Sequence, residues 1–375
     1  RPSRNRLDAM AKRRYEVLPG QHGSRIKVNV KGGDLLRIPR LNRGSAFTHE
    51  ERDRFELTGY LPTGVTSLEA QLHRTYAVYS RQRTPLDKFA YLNGLRDRNT
   101  VLFYRLLGDH IEEMMPIVYT PTIGDAIVQF SLWYSRIHGV FCSIDQPDKI
   151  GAALASSGRD AEDVDVVIVT DSEGILGIGD QGVGGVQICL GKKSLYTAAA
   201  GIDPNRMVPV VLDVGTDNLA LLNDELYLGL RHSRVRGQAY DDFIARFVEQ
   251  CQEKFPHAMI HWEDFGAANA HRILERYRDE VCTFNDDVQG TAAVVAAAVL
   301  SAVHSQGGRL ADQRIVVHGA GTAGVGSSGH FATEIFARAQ GLQLNHVPYK
   351  GAAPVVTDLM GGQLDSSFAT LGSVL

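Results

Sequence analysis

The chain has 375 residues, 44% of them hydrophobic and 22% charged, with a net charge of −4 at pH 7. That length exceeds a single core and predicts two domains or more. The weakly acidic balance, with basic residues scattered along the chain, argues against a nucleic-acid or membrane-surface binder.

The first residues lack a charged-then-apolar pattern, so no secretory signal is expected. The basic cluster Arg1, Arg4, Arg6, Lys12, Arg13 and Arg14 reads as a solvated, frayed terminus. Residues 45–140 read as helical. Thr48-His49-Glu50-Glu51 and Thr66-Ser67-Leu68-Glu69 are capping-box patterns, in which a hydroxyl and a carboxylate three residues on satisfy each other's backbone donors. Pro85 can open one long helix carrying Phe89, Leu92, Leu95, Val101 and Leu102. Tyr119, in Ile117-Val118-Tyr119-Thr120-Pro121-Thr122, stands just before a turn and a helix N-terminus. A Tyr beside a cation can act as a general acid, whereas a Tyr taken alone is more often a core residue.

From residue 160 the pattern changes. Val164–Val169, Met207–Val214 and Ala258–Trp262 are short, apolar, β-rich runs, with helical segments such as 240–254 and 266–278 between them. That alternation predicts an α/β fold with a largely parallel sheet. Gly191-Lys192-Lys193-Ser194 enters the apolar Leu195–Ala200. Lys192 there can serve as a base if desolvation lowers its pKa, although the local pattern alone fits a surface lysine better. The cysteines at 142, 189, 251 and 282 form no CxxC pair, which predicts free thiols in a reducing compartment.

Two acidic pairs follow apolar or aromatic runs: Glu263/Asp264 in IHWEDFG (260–266) and Asp286/Asp287 in CTFNDDVQGTAA (282–293). Carboxylates at buried strand ends are costly unless paired or bound to a cation. Four converging from two strand ends would make an oxygen-ligand site for a hard divalent ion, Mg²⁺ or Mn²⁺. His261 reads as a packed or hydrogen-bonded residue rather than a ligand.

Asp287 to His304 reads as a helix rich in Ala and Val, thin enough to pack closely on a sheet. Its apolar run, Ala292 to Ala302, is about half a bilayer span, so no transmembrane helix is expected. A strand over Arg314–His318 then leads into Gly319-Ala320-Gly321-Thr322-Ala323-Gly324. A GxGxxG between strand and helix is the setting of a dinucleotide turn, with the pyrophosphate at the helix N-terminus. The ribose-binding acid expected about twenty residues on is missing, since Glu334 is the one acidic residue between Gly324 and Asp358 and lies on the helix. The expected division is a helical region over 1–160, an α/β catalytic and metal-binding region over 161–305, the start of a Rossmann-like dinucleotide domain over 306–326, and a tail over 327–375.

Six segments now stand in order: IVYTPTIGDA (117–126), VIVTDSEGILGIGDQG (167–182), GKKSLYTAAAGIDP (191–204), VVLDVGTDN (210–218), HWEDFG (261–266) and CTFNDDVQGT (282–291). Together they resemble the malic enzyme family over roughly residues 15–326. The resemblance implies roles by position: Tyr119 as general acid, Lys192 as general base, and Asp286 beside the metal in support of the base. It implies Glu263, Asp264 and Asp287 as ligands of Mn²⁺ or Mg²⁺. Gly319, Ala320, Gly321 and Gly324, with Asp287, would face the NAD cofactor. It further implies malate as substrate, oxidative decarboxylation to pyruvate and CO₂, a cytoplasmic homo-oligomer (dimer or tetramer), and no nucleic-acid or membrane partner.

Three departures qualify the resemblance. Gly174 stands where many malic enzymes place an Arg that reaches substrate and cofactor, and the EGILGIGD form resembles the malolactic branch, which releases lactate. Lys193 replaces an apolar residue usual after the catalytic Lys. Finally, 51 residues follow Gly324 (375 − 324), and about the last 45, including LNHVPYKGAAPVVTDLMGGQLD (344–365), resemble tripartite tricarboxylate transporter receptors. A junction of two unrelated genes near residue 326 is therefore expected, as an assembly artefact or frame-joined fragment more than as a natural fusion. The dinucleotide domain would be truncated and the NAD site incomplete. Malolactic conversion, or an inactive chimera keeping only a metal and carboxylate site, stand as alternatives to malic activity.

Overall fold

The computed structural model describes residues 14–18, 25–134 and 139–310, together with the backbone of two further strands, 315–317 and 366–368. It divides into two compact units, Arg1–Thr122 and Ile123–Leu375. The sequence places the change of pattern near 160. The division falls earlier because a strand at 140–143 already belongs to the second unit's sheet.

The first unit opens with an antiparallel hairpin of β1 (Tyr15–Leu18) and β2 (Arg25–Val28), which has no counterpart in the sequence reading. Helices follow, four of them started by a side-chain cap. Thr48 and Glu51 form the expected capping box at His49–Arg54. The second expected box does not form: Ser67, not Thr66, caps Leu68–Tyr79, and Ala70, whose N–H it accepts, has no side chain to return the bond. Pro85 opens its helix as expected, behind Thr84, but the helix stops at Arg98. Asn99, at φ −150° and ψ 90°, breaks it, and its Oδ1 accepts from the Leu102 N–H at 2.9 Å to start Thr100–Asp109. Two helices thus replace the one expected, and Val101 turns outward. Ile111–Val118 closes the unit, with Tyr119 at its C-terminal cap.

The second unit is an α/β layer. Five strands, β3 (Val140–Ser143), β4 (Val166–Thr170), β5 (Met207–Asp213), β6 (Met259–Trp262) and β7 (Thr283–Asn285), run in the order β3-β5-β4-β6-β7, every pair parallel. β4 and β5 are buried along their whole length, as strands covered by helices on both faces must be. Helix Gln238–Lys254 presents Phe243, Phe247 and Cys251 to this core. Trp262 is fully buried, with its ring 6.2 Å from that of Phe247 and 5.4 Å from that of Phe265. The polar residues that matter leave the carboxyl ends of β4, β6 and β7, which is where parallel sheets bind ligands.

The Ala- and Val-rich helix begins with a π-helical turn, Asp286–Gly290, and continues as Thr291–Ser305. The expectation that it packs closely on a sheet is not met among the described residues, where only Val288, in the first turn, and Val303 are buried side chains and Val294 is 71% exposed. By length and composition, Asp286–Ser305 is long and apolar enough to cross a bilayer, beyond the half-span read from 292–302. Its first turn, however, is bound into the sheet through Asp286 and Asp287. β8 (Ile315–Val317), within the expected Arg314–His318, pairs in parallel with β9 (Ser366–Phe368). Gly319, Ala320, Gly321 and Gly324 lie outside the described residues.

Candidate active site

Lys192 lies in helix Val186–Ala200, which packs on β4 and β5. Ile188 and Lys192 are four residues apart and so share a face, and that face is inward: both are buried. This corrects the surface reading that the local pattern favours. A buried ammonium needs anionic partners. Lys192 Nζ donates to Asp286 Oδ2 at 2.6 Å and lies 3.0 Å from Glu263 Oε1. One carboxylate from each acidic pair therefore grips the same lysine.

The other two carboxylates meet each other. The Asp264 N–H donates to Asp287 Oδ2 at 2.8 Å, and the Asp264 carboxyl faces that of Asp287. Burial, then the charges of Asp287 and Glu263, push the Asp264 carboxyl well above the usual carboxylate range. Burial, then the Glu263 charge, raises Asp287 to about 7. Glu263 goes the other way. Burial would raise it, but the hydrogen bond from His261 and the Lys192 charge outweigh burial and hold it below its ordinary value.

Local structure sets these directions. The π turn after β7 splits Asp286 from Asp287, sending one to Lys192 and the other to Asp264; such turns favour functional sites. Asn285 caps the turn, its Oδ1 accepting from the Val288 N–H at 2.8 Å. Gly290 leaves room for the first acid, since a Cβ there would stand 2.6 Å from Asp286 Oδ1. Asp264 sits at φ +53°, a left-handed conformation uncommon outside glycine.

His261 is packed and hydrogen-bonded, as expected. Its Nε2 lies 2.6 Å from Glu263 Oε2 and its Nδ1 2.8 Å from the Tyr196 hydroxyl. The sequence reading missed Tyr196, although its position four residues after Lys192 puts it on the same helical face. Ligand atoms of His261, Glu263 and Asp286 also lie within 4.8 Å of one another and could hold a metal ion. That group shares Glu263 with the expected ligand set. Both His261 nitrogens are already engaged, as are both oxygens of Glu263. Tyr119 belongs to the first unit, half-buried, its N–H donating to the Met115 carbonyl at 2.9 Å.

A second charged cluster supports the loop after β4. Buried Arg234 donates to Asp180 Oδ1 at 3.0 Å and to the Asp171 carbonyl at 2.7 Å. Tyr240 donates to Asp171 Oδ2 at 2.7 Å, and Arg236 pairs with Glu173 at 2.7 Å.

Residues 96–278 match the family described as malic enzyme, N-terminal domain. Over this stretch the chain belongs to the malic enzyme family. It is 53% identical over 301 residues to NAD-dependent malic enzyme 3 of Bacillus subtilis, covering 80% of this chain and 53% of that one. It is 46% identical over 326 residues to the mitochondrial NAD-dependent malic enzyme of Saccharomyces cerevisiae, covering 85% and 48%. The chain thus spans about half the length of the curated relatives it matches. The crystal structure of Entamoeba histolytica malic enzyme overlays 86% of this chain and 57% of that one, with a TM-score of 0.39 at 20% identity. Residues 317–375 match the tripartite tricarboxylate transporter family receptor, a stretch that lies almost wholly outside the described residues.

Proposed function

We propose that the chain carries the metal- and malate-binding part of an NAD-dependent malic enzyme, converting malate and NAD⁺ to pyruvate, CO₂ and NADH. The observation that carries the reading is a charge imbalance. Four carboxylates, Glu263, Asp264, Asp286 and Asp287, gather about one ammonium, Lys192. A divalent cation fits that excess, and hard oxygen donors suit Mg²⁺ or Mn²⁺. Glu263, Asp264 and Asp287 would hold it. When bound, the cation supplies Lewis-acid polarisation of the substrate's C2 oxygen.

The chain's own groups supply the proton transfers. Lys192 would take the C2 hydroxyl proton; NAD⁺, when bound, would supply the acceptor for the C2 hydride. Asp286, 2.6 Å from Nζ, aims the amine. The C3–C4 bond then breaks, CO₂ leaves, and its electron pair remains in a three-carbon enolate. C3 then needs a proton to complete pyruvate, the role that the family resemblance implies for Tyr119. The malolactic alternative rests on Gly174 and the EGILGIGD form around it.

Two measurements test this. Titrating Mn²⁺ into the chain by calorimetry should show one site, lost in Asp287→Asn. Supplying malate, NAD⁺ and Mn²⁺ separates the readings: NADH with pyruvate assigns the malic reaction, lactate without net NADH the malolactic one, and neither product the inactive chimera. In a full-length version of this sequence, Lys192→Ala should lower kcat far more than it alters the KM for malate, because it removes a proton transfer made in the transition state. A pure KM effect would reassign Lys192 to binding.

A further inference from the structure

The loop leaving β4, Asp171-Ser172-Glu173-Gly174, lies against the carboxyl end of β6, and at Gly174 the contact is backbone on backbone. The Gly174 N–H donates to the Asp264 carbonyl at 2.9 Å. A Cβ at position 174 would stand 2.6 Å from the Phe265 carbonyl oxygen and 3.1 Å from its carbon. Those are main-chain atoms, which cannot swing aside as a side chain could. Asp264, whose carbonyl receives that bond, is left-handed at φ +53°, a conformation that costs free energy and persists only where surroundings over-determine it. Its N–H is fixed by Asp287 and its carbonyl by Gly174. The Glu263 N–H is fixed in turn by the Val169 carbonyl at 2.9 Å. The loop is itself fastened by Arg234 through Asp171 and Asp180.

We propose that Gly174 is a positioning residue for the metal site: bare backbone at 174 holds Asp264 in its left-handed turn, and so keeps the Asp264 carboxyl against that of Asp287. This rests on the metal reading above. It gives the departure at 174 a physical meaning. With this chain's backbone, a side chain at 174 would first have to displace Phe265, the residue after Asp264.

The test uses Mn²⁺ alone as the probe, followed by calorimetry. Gly174→Ala should weaken Mn²⁺ binding roughly 10–100-fold, the range for disturbing groups that orient ligands. Gly108→Ala, at a position with open space around it, should bind as the unaltered chain does. Unchanged affinity in a folded Gly174→Ala overturns the proposal. Hydrogen exchange on the unaltered chain tests it without any variant: the Gly174 amide should be protected, and more so with Mn²⁺. Exchange at a free-loop rate, indifferent to Mn²⁺, also overturns it. If Asp287→Asn loses Mn²⁺ while Gly174→Ala keeps it, the metal reading stands and this inference alone fails. Absence of Mn²⁺ binding by the unaltered chain removes both.

Discussion

Two buried charge clusters lie at the carboxyl ends of one sheet, and they are built on opposite terms. Around Arg234, every acid has donors. Asp171 accepts from Tyr240, Arg234 and the Glu173 N–H; Asp180 accepts from Arg234 and from the backbone of Gly182 and Asp217; Glu173 accepts from Arg236 and Asn269. Around Lys192 the donors are fewer, and Asp287 has only the Asp264 N–H among the hydrogen bonds described above. Glu263 and Asp286 share the lysine, while the carboxyls of Asp264 and Asp287 face each other. A satisfied cluster fixes a loop; an unsatisfied one at a strand end asks for a ligand. Burial alone does not separate structure from function here. The match between donors and acceptors does.

The contrast breaks most visibly at Arg234. Arg234→Met strands Asp171 and Asp180 without their cation, and removing one partner of a buried ion pair costs about 3–5 kcal/mol. Denaturant unfolding should show that loss equally with and without Mn²⁺. A small loss, confined to Mn²⁺ affinity, would move Arg234 from the scaffold to the site. Next in size is the metal itself. A ligand of the folded state alone stabilises by about 2.7 kcal/mol at a hundred times its Kd, so Mn²⁺ should raise the melting temperature of the unaltered chain and leave Asp287→Asn where it was. Without metal, Asp287→Asn should be no less stable than the unaltered chain at neutral pH, since it removes a like-charge contact.

The third prediction follows from the raised Asp287 carboxyl, about 7 against an ordinary 3.8. Between those values the folded chain holds a proton that the unfolded chain has lost. Stability of the metal-free chain should therefore fall as pH rises through that window, since fewer protons are bound by the unfolded state. Mn²⁺ competes with the same proton, so its affinity should rise over the same range. Thermal melts and Mn²⁺ titrations across about pH 4 to 8 check both signs. Stability that is flat with pH in the absence of metal would mean Asp287 already has a compensating partner.

How far these clusters were legible in the sequence depended on chain separation. The acidic pairs after Trp262 and Asn285 stood out because carboxylates directly follow apolar runs, and β4, β5 and β6 were visible as β-rich runs. β3 and β7 were not, since VFCS and TFN are too short to show a period and are partly exposed. The break at Asn99 was hidden because Asn serves as a cap as readily as it sits on a helix surface. Lys192 needed the family pattern: its burial comes from partners 71 and 94 residues away (263 − 192 and 286 − 192), which no local window contains. Gly174 was noticed only for the side chain it lacks. Its reason, a main-chain approach from Phe265, is a tertiary fact.

The smallest expected effect is at Tyr196, and it sharpens the contrast at its finest grain. Burial, then the Asp286 charge, raises the Tyr196 hydroxyl to about 12, so it remains a donor. Glu263, held below its ordinary value, remains an acceptor. Between them His261 has one consistent arrangement: Nδ1 accepts from Tyr196, and Nε2 carries the hydrogen that goes to Glu263. Tyr196→Phe removes one neutral hydrogen bond and leaves a buried ring nitrogen without its donor, a loss of about 1 kcal/mol. The sheet is untouched, so far-ultraviolet dichroism should not change. Nitrogen NMR of His261 should show the Nε2–H tautomer in the unaltered chain and a mixed population in Tyr196→Phe. A ring that keeps its Nε2–H tautomer without the hydroxyl would mean that Glu263 alone orients it, and that the relay from Tyr196 to Lys192 is packing rather than a chain of directed hydrogen bonds.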